Sequence, residues 1–212
     1  MQINILREIN NMRLEHSALL LIEFQNEWLH EKGKLNTLFF DKKQFLTSLE
    51  NAKKIIKSAR NTKIHIIHSG LSYSKTYREL GQAKHGLRAA IPTNKTFLAD
   101  SIASQFPEPF SPKDNEFTVQ GRVGSSAFSG SNLDAYLRNN RIDTLYIMGY
   151  ALHVCVESTL RTAHDLGYEA IVIEDASSAF NHEQKNYFLN NIVHHFGSSI
   201  KSNDFITAIN ER

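Results

Sequence analysis

The chain has 212 residues, 41% of them hydrophobic and 22% charged, with a formal net charge of +2 at pH 7 and a single cysteine. That length suits one domain over residues 1–212 with a substantial core. The near-neutral balance, with lysines and arginines scattered along the chain, argues against a nucleic-acid partner, and one cysteine excludes an intrachain disulfide framework or a multi-cysteine metal site. The opening MQINILREINNMRLEH carries early charges and reads as no secretory signal, and the longest apolar run, ALLLI, is too short to cross a bilayer. The expectation is a cytoplasmic protein without membrane contact.

SALLLIEF (17–24) is short, continuous and apolar, the pattern of a buried strand. From Asp41 to Arg60, Phe45, Leu49, Ala52, Ile56 and Ala59 recur every three or four residues and predict an amphipathic helix. KIHIIHS (63–69) predicts a second strand. On it His65 and His68 differ by three, so they face opposite sides of a sheet and cannot share a metal. Residues 70 to about 112 lose the periodicity, with PTNKT and FPEPFSPKD as breakers. Within them, 70–95 is long enough to be a lid or a subunit contact. EFTVQ (116–120) predicts a strand, 121–130 a glycine- and serine-rich loop, and SNLDAYLRNN a helix capped by Ser131 or Asn132. TLYIMG (144–149) predicts a strand, 155–167 a helix and EAIVIED (169–175) a strand. A helix near 183–196 follows, then a short one in DFITAINER. This alternation predicts an α/β fold, a parallel sheet with helices on both faces.

Ligands of open α/β sheets bind outside the carboxyl ends of the strands. The residues following those ends are Glu23 and Gln25, His68 and Ser69, Gln120 to Ser126, Gly149 to Cys155, and Glu174 and Asp175. They include a carboxylate, the Arg122 guanidinium and the lone thiol. Cys155 falls in the first turn of a predicted helix, where free N–H groups and the macrodipole lower a thiol's pKa. The plainer alternative is a small buried hydrophobe packed beside Val154 and Val156.

GYALHVCVESTLRTAHDLGY, followed by EDASSA, resembles the signature of the isochorismatase-like cysteine hydrolases, which include isochorismatases, nicotinamidases and N-carbamoyl amide hydrolases. ALLLIEFQNEW is similar to that superfamily's first strand, and GRVGSSAFSGSNLDAYLRNNRIDTLYIMGY to its loop, helix and fourth strand. The likeness covers most of residues 17–180. It implies a doubly wound, mostly parallel sheet of about six strands with helices on both faces. It also implies an Asp–Lys–Cys triad, whose cysteine falls on Cys155. Glu23 stands at the aspartate position and Arg122 at the lysine position, so two of the three are altered. Glutamate keeps the acid one methylene further out. Arginine keeps the charge but cannot release a proton, and it would either stabilise a thiolate or grip a substrate carboxylate. The resemblance further implies a cis peptide at Tyr150–Ala151 and an oxyanion hole built from the backbone N–H groups of Ala151 and Cys155.

Phe24, Trp28, Phe128 and Tyr150 are candidates for the wall of a small-molecule pocket, with core packing the alternative for each. The expected function is hydrolysis of a small amide, imide or ureido compound by a cysteine nucleophile. No cofactor and no metal are expected, and by family analogy the assembly is a homo-oligomer, a dimer or tetramer. The alternative is a catalytically impaired member that binds a small molecule or serves as an oligomeric interaction protein.

Overall fold

The strand that begins at Ser17 is buried along its whole length, as a central parallel strand covered on both faces must be. The computed structural model describes residues 13–211, so the reading of no secretory signal, and the last residue of DFITAINER, lie wholly or partly outside the described residues. Among those residues the strands are β1 (Ser17–Ile22), β2 (His65–Ser69), β3 (Phe117–Thr118), β4 (Thr144–Gly149), β5 (Glu169–Ile173) and β6 (Ser198–Ile200). They form a single sheet in the order β3-β2-β1-β4-β5-β6, and every pairing is parallel. The helices are α1 (Asn26–Leu29), α2 (Lys42–Ala59), α3 (Leu87–Asn94), α4 (Leu133–Asn139), α5 (Glu157–Asp165), α6 (His182–Asn191), α7 (Val193–Phe196) and α8 (Ser202–Asn210).

The period of two along β1 divides the core. Leu19 and Leu21 join the side chains of α2 and α8 on one face. Ala18, Leu20 and Ile22 join those of α4 to α7 on the other. Asp41 caps α2 by accepting the Gln44 N–H at 2.9 Å, and the helix then buries Phe45, Ala52, Ile55, Ile56 and Ala59. Each large apolar side chain buried in this way contributes roughly 1.5–3 kcal/mol. Just past its end, Arg60 clamps Glu116 with two hydrogen bonds, Nε to Oε1 at 2.7 Å and an Nη to Oε2 at 3.0 Å, and also reaches the carbonyls of Pro109 and Ser111. His68 Nε2 lies 2.8 Å from the same Glu116 Oε2, which fastens β2 to the approach of β3.

Some elements differ from the sequence reading. The first strand stops at Ile22 because Glu23 takes a left-handed conformation, φ 57°. The helix expected near 183–196 is broken into α6 and α7 at Ile192, where φ reaches −117°. β6 has no counterpart in the reading: two serines and an isoleucine present no period. Asn132 is the N-cap of α4, but its side chain accepts the Gln120 N–H at 2.9 Å rather than a bond from its own helix, while Ser131 Oγ accepts the Leu133 N–H at 3.2 Å.

The strand order turns back on itself between β1 and β4, and that reversal opens a crevice at their carboxyl ends. Ile22 pairs with Gly149 at the last rung. Gly149 has φ 140°, and a Cβ there would run into the Ile22 carbonyl. Among the described residues no helix is long and apolar enough to cross a membrane.

Candidate active site

Glu23 leaves β1 with its N–H donated to the Ser69 carbonyl at 2.8 Å, which ties the ends of β1 and β2 and turns the side chain inward. The carboxylate has two different partners. Oε1 accepts from an Arg122 Nη at 2.6 Å and Oε2 from Trp28 Nε1 at 2.9 Å. Both ionic side chains are only 1% exposed. Arg122 arrives from the glycine- and serine-rich loop, which wraps around its own arginine. Nε donates to Gly124 O, one Nη to the carbonyl and hydroxyl of Ser69, and the other to Ser125 O and Glu23. These five bonds engage the whole fork, so the guanidinium has no face left to grip a substrate carboxylate. Burial opposes its charge, but Glu23 and Cys155 outweigh that and hold Arg122 above its ordinary value.

Beyond β4 the Tyr150–Ala151 peptide is cis. The Ala151 carbonyl accepts from Val154 N at 3.0 Å and Val156 N at 3.3 Å, opening a wide π-helical turn over Leu152–Val156 that precedes α5. Cys155 sits in that turn, not in the first turn of a regular α-helix. The Cys155 carbonyl accepts from Thr159 Oγ1 at 2.7 Å, and the same hydroxyl accepts the Ala127 N–H at 3.0 Å, which joins the turn to the Arg122 loop. The thiol lies in the field of both Glu23 and Arg122. Burial pushes it well above the ordinary thiol range; Glu23 adds to the rise and Arg122 opposes it. The lowering expected from a helix terminus is therefore overturned. A terminus contributes about 0.3–1 kcal/mol, whereas full burial moves a pKa by up to ~3–5 units. At rest the site holds a charged Glu23–Arg122 pair and a neutral thiol.

Over Cys155 lies a cavity of about 300 Å³, lined by Leu71, Tyr73, Leu80, residues 85–88, Ile91 and residues 123–125. Most of that lining belongs to the 70–95 stretch, which forms its roof. The aromatic residues proposed for the wall are elsewhere. Phe24 and Tyr150 are fully buried in the α2-side core, with ring centroids 5.0 Å apart. Phe128 packs against Tyr168 at 5.8 Å on the opposite face of the sheet. Trp28 stacks near Phe39 and serves the site only through its bond to Glu23. The left-handed turn at Glu23 shifts the alternation of β1 so that Phe24 joins Leu19 and Leu21, and Tyr150 continues the face of Tyr146 and Met148, so both enter the α2-side layer.

The family model of the isochorismatase domain matches residues 17–204. The chain belongs to the isochorismatase family. An uncharacterized isochorismatase family protein of Bacillus subtilis, YwoC, is 38% identical over 97 residues, which are 46% of this chain and 51% of that protein. The ureidoacrylate amidohydrolase RutB of Agrobacterium fabrum is 25% identical across 94% of this chain and 92% of that enzyme. The chain thus spans about half of the first relative and nearly all of the second. A cysteine hydrolase from Pseudomonas syringae pv. phaseolicola 1448A shares the fold, with a TM-score of 0.80 at 20% identity over 94% of this chain and 95% of that one.

Within this isochorismatase-family hydrolase, sequence reasoning named Gln25 by its place after β1 but not its task, and it missed Glu27 and Tyr73, which also shape and anchor the roof. Gln25 donates to Leu71 O and accepts the Leu71 N–H, both at 2.8 Å. Glu27 is buried and accepts the backbone N–H groups of Lys34 at 3.1 Å and Phe97 at 3.0 Å. Tyr73 lies under the roof beside the thiol. The available signals were the length of the 70–95 stretch and two polar residues just after an apolar strand.

Proposed function

We propose that this protein hydrolyses a small amide, imide or ureido compound with Cys155 as the nucleophile. The observation that carries the reading is a buried Glu23–Arg122 pair whose field acts on Cys155, at the floor of a cavity that Cys155 itself lines. As the sulfur attacks the carbonyl carbon, its proton passes to Glu23. Arg122 keeps the carboxylate in place and steadies the sulfur's developing charge. The backbone N–H groups of Ala151 and Cys155 hold the oxyanion. The C–N bond then breaks, and the amine leaves with the proton that Glu23 took. Water adds to the acyl- or carbamoyl-enzyme and regenerates the thiol. Because the resting thiol is neutral, the nucleophile forms only when substrate fills the cavity. His85 and Arg88 at the mouth favour a substrate with an acidic tail, as ureidoacrylate has for RutB.

A second reading, a catalytically impaired binding protein, rests on the raised thiol and on an arginine that cannot release a proton. Ammonium release from a panel of ureidoacrylate, N-carbamoyl amino acids and primary amides separates the two. The hydrolase reading expects turnover of at least one compound and none by Cys155→Ala. If the wild type releases ammonium from none, or Cys155→Ala matches it, the second reading holds. We take the assembly to be a homo-oligomer, which light scattering checks.

A further inference from the structure

The cavity over Cys155 is unevenly furnished. Leu71, Leu80, Leu87, Ile91 and Val123 give it apolar walls, and His85 and Arg88 belong to the exposed part of the roof. Tyr73 differs from both groups. It is 1% exposed, yet it lines the same cavity as the sulfur. Its backbone is held on both sides, with its N–H donated to Phe97 O at 2.9 Å and its carbonyl accepting from Ala99 N at 2.8 Å. Its ring leans on Tyr77, centroids 6.0 Å apart. The Tyr77 hydroxyl is engaged with the Thr96 carbonyl at 3.0 Å and has a structural task. The Tyr73 phenol instead lies in the field of Arg122, Glu23 and Cys155. Burial pushes it above the ordinary tyrosine range, so it stays protonated and keeps an O–H to donate.

We propose that Tyr73 is a substrate-binding residue whose hydroxyl donates a hydrogen bond to the oxygen of a carboxamide or ureido group held over Cys155. Arg122, with its whole fork engaged inside the protein, cannot supply that contact. The phenol therefore adds a side-chain donor from the roof to the backbone donors beneath, and compounds without an acceptor oxygen gain nothing from it. The proposal deepens the hydrolase reading and rests on it for the identity of the reaction.

Alkylation of the lone thiol tests it without requiring turnover. Iodoacetamide carries a carboxamide next to the reacting carbon, and iodoethane lacks one. Tyr73→Phe removes one oxygen and keeps the ring and both backbone bonds, and an unchanged melting temperature verifies the fold. The expected result is iodoacetamide labelling slowed about tenfold, with iodoethane labelling unchanged within about twofold. An unchanged iodoacetamide rate, or an equal loss with both reagents, overturns the proposal. On any compound that the wild type hydrolyses, Tyr73→Phe lowers kcat/KM by about tenfold; a value within about twofold of wild type overturns it as well. If selectivity for iodoacetamide depends on Tyr73 while no compound is hydrolysed, the hydrolase reading fails and the role of Tyr73 stands.

Discussion

Glu23 with Arg122, just past the carboxyl end of β1, and Glu116 with Arg60, just ahead of β3, are both carboxylate–guanidinium pairs largely withdrawn from solvent, and they are wired differently. Arg60 grips both oxygens of Glu116, and the third partner is the His68 ring. Arg122 grips one oxygen of Glu23, the indole of Trp28 takes the other, and the third partner is a thiol. The two-toothed pair is a clamp. Burial works against the Glu116 charge, but bonds from Arg60, the Lys113 N–H and His68 outweigh it and hold the carboxyl at about 2. The one-toothed pair stands against a group that can give up a proton. Identical residue types thus make a two-toothed clamp in one place and, in the other, a pair that leaves one carboxylate oxygen to an indole; the proposed proton relay belongs to the second.

The largest expected effect comes from dismantling the relay. Glu23→Gln removes the proton acceptor, and turnover falls by roughly a thousandfold. The same substitution removes a charge that raises the thiol's pKa while leaving Arg122 to favour the thiolate. Cys155 is therefore labelled faster by iodoacetamide at neutral pH in the variant than in the wild type. Slower labelling in folded Glu23→Gln protein would break the contrast.

The clamp is tested by acid. With its folded pKa at about 2 against an ordinary 4.5, Glu116 contributes stability that is complete above pH 4.5 and is lost as pH falls toward 2. The amount is about 3 kcal/mol. His68, lowered mainly by its burial, acts with the same sign: its contribution is present above its unfolded value of 6.5 and lost below it. Denaturant melts of wild type and Arg60→Met across this range give the measurement. The variant loses about 3–5 kcal/mol at neutral pH and most of the acid dependence below 4.5. The smallest effect expected is that of Trp28→Phe. It frees Glu23 Oε2 and keeps an aromatic ring beside Phe39, so kcat falls by about tenfold with little change in melting temperature.

Legibility in the sequence followed the same division between repeating pattern and tertiary closure. β1, α2, β4, α5 and β5 were readable because their apolar residues repeat over five or more positions, and a covered parallel sheet imposes that repeat. β6 was not, since Ser198, Ser199 and Ile200 become a strand only by pairing with β5. Nor was the break at Ile192, which has no proline or glycine to mark it. Cys155, Glu23 and Arg122 stood out through their motifs and their places after strands. Phe24 and Tyr150 were misassigned because position beside a strand end does not say which layer a ring enters. Tyr73 comes to line the thiol's cavity where the chain returns to form a bridge with Leu98, and no local pattern announces that return.

The missing side chain at Gly149 sets the gauge of the crevice. β1 and β4 are drawn together until the Ile22 carbonyl fills the space that a methyl group would need. Glu23 follows the first of those strands directly, and Cys155 follows the second, within the π-helical turn. A geometry in which a misplacement of about 1 Å can cost roughly a hundredfold in rate is thereby referenced to two backbones in direct contact. Changes in the roof leave that spacing alone, whereas anything larger than a hydrogen atom at that rung would force the two strands apart.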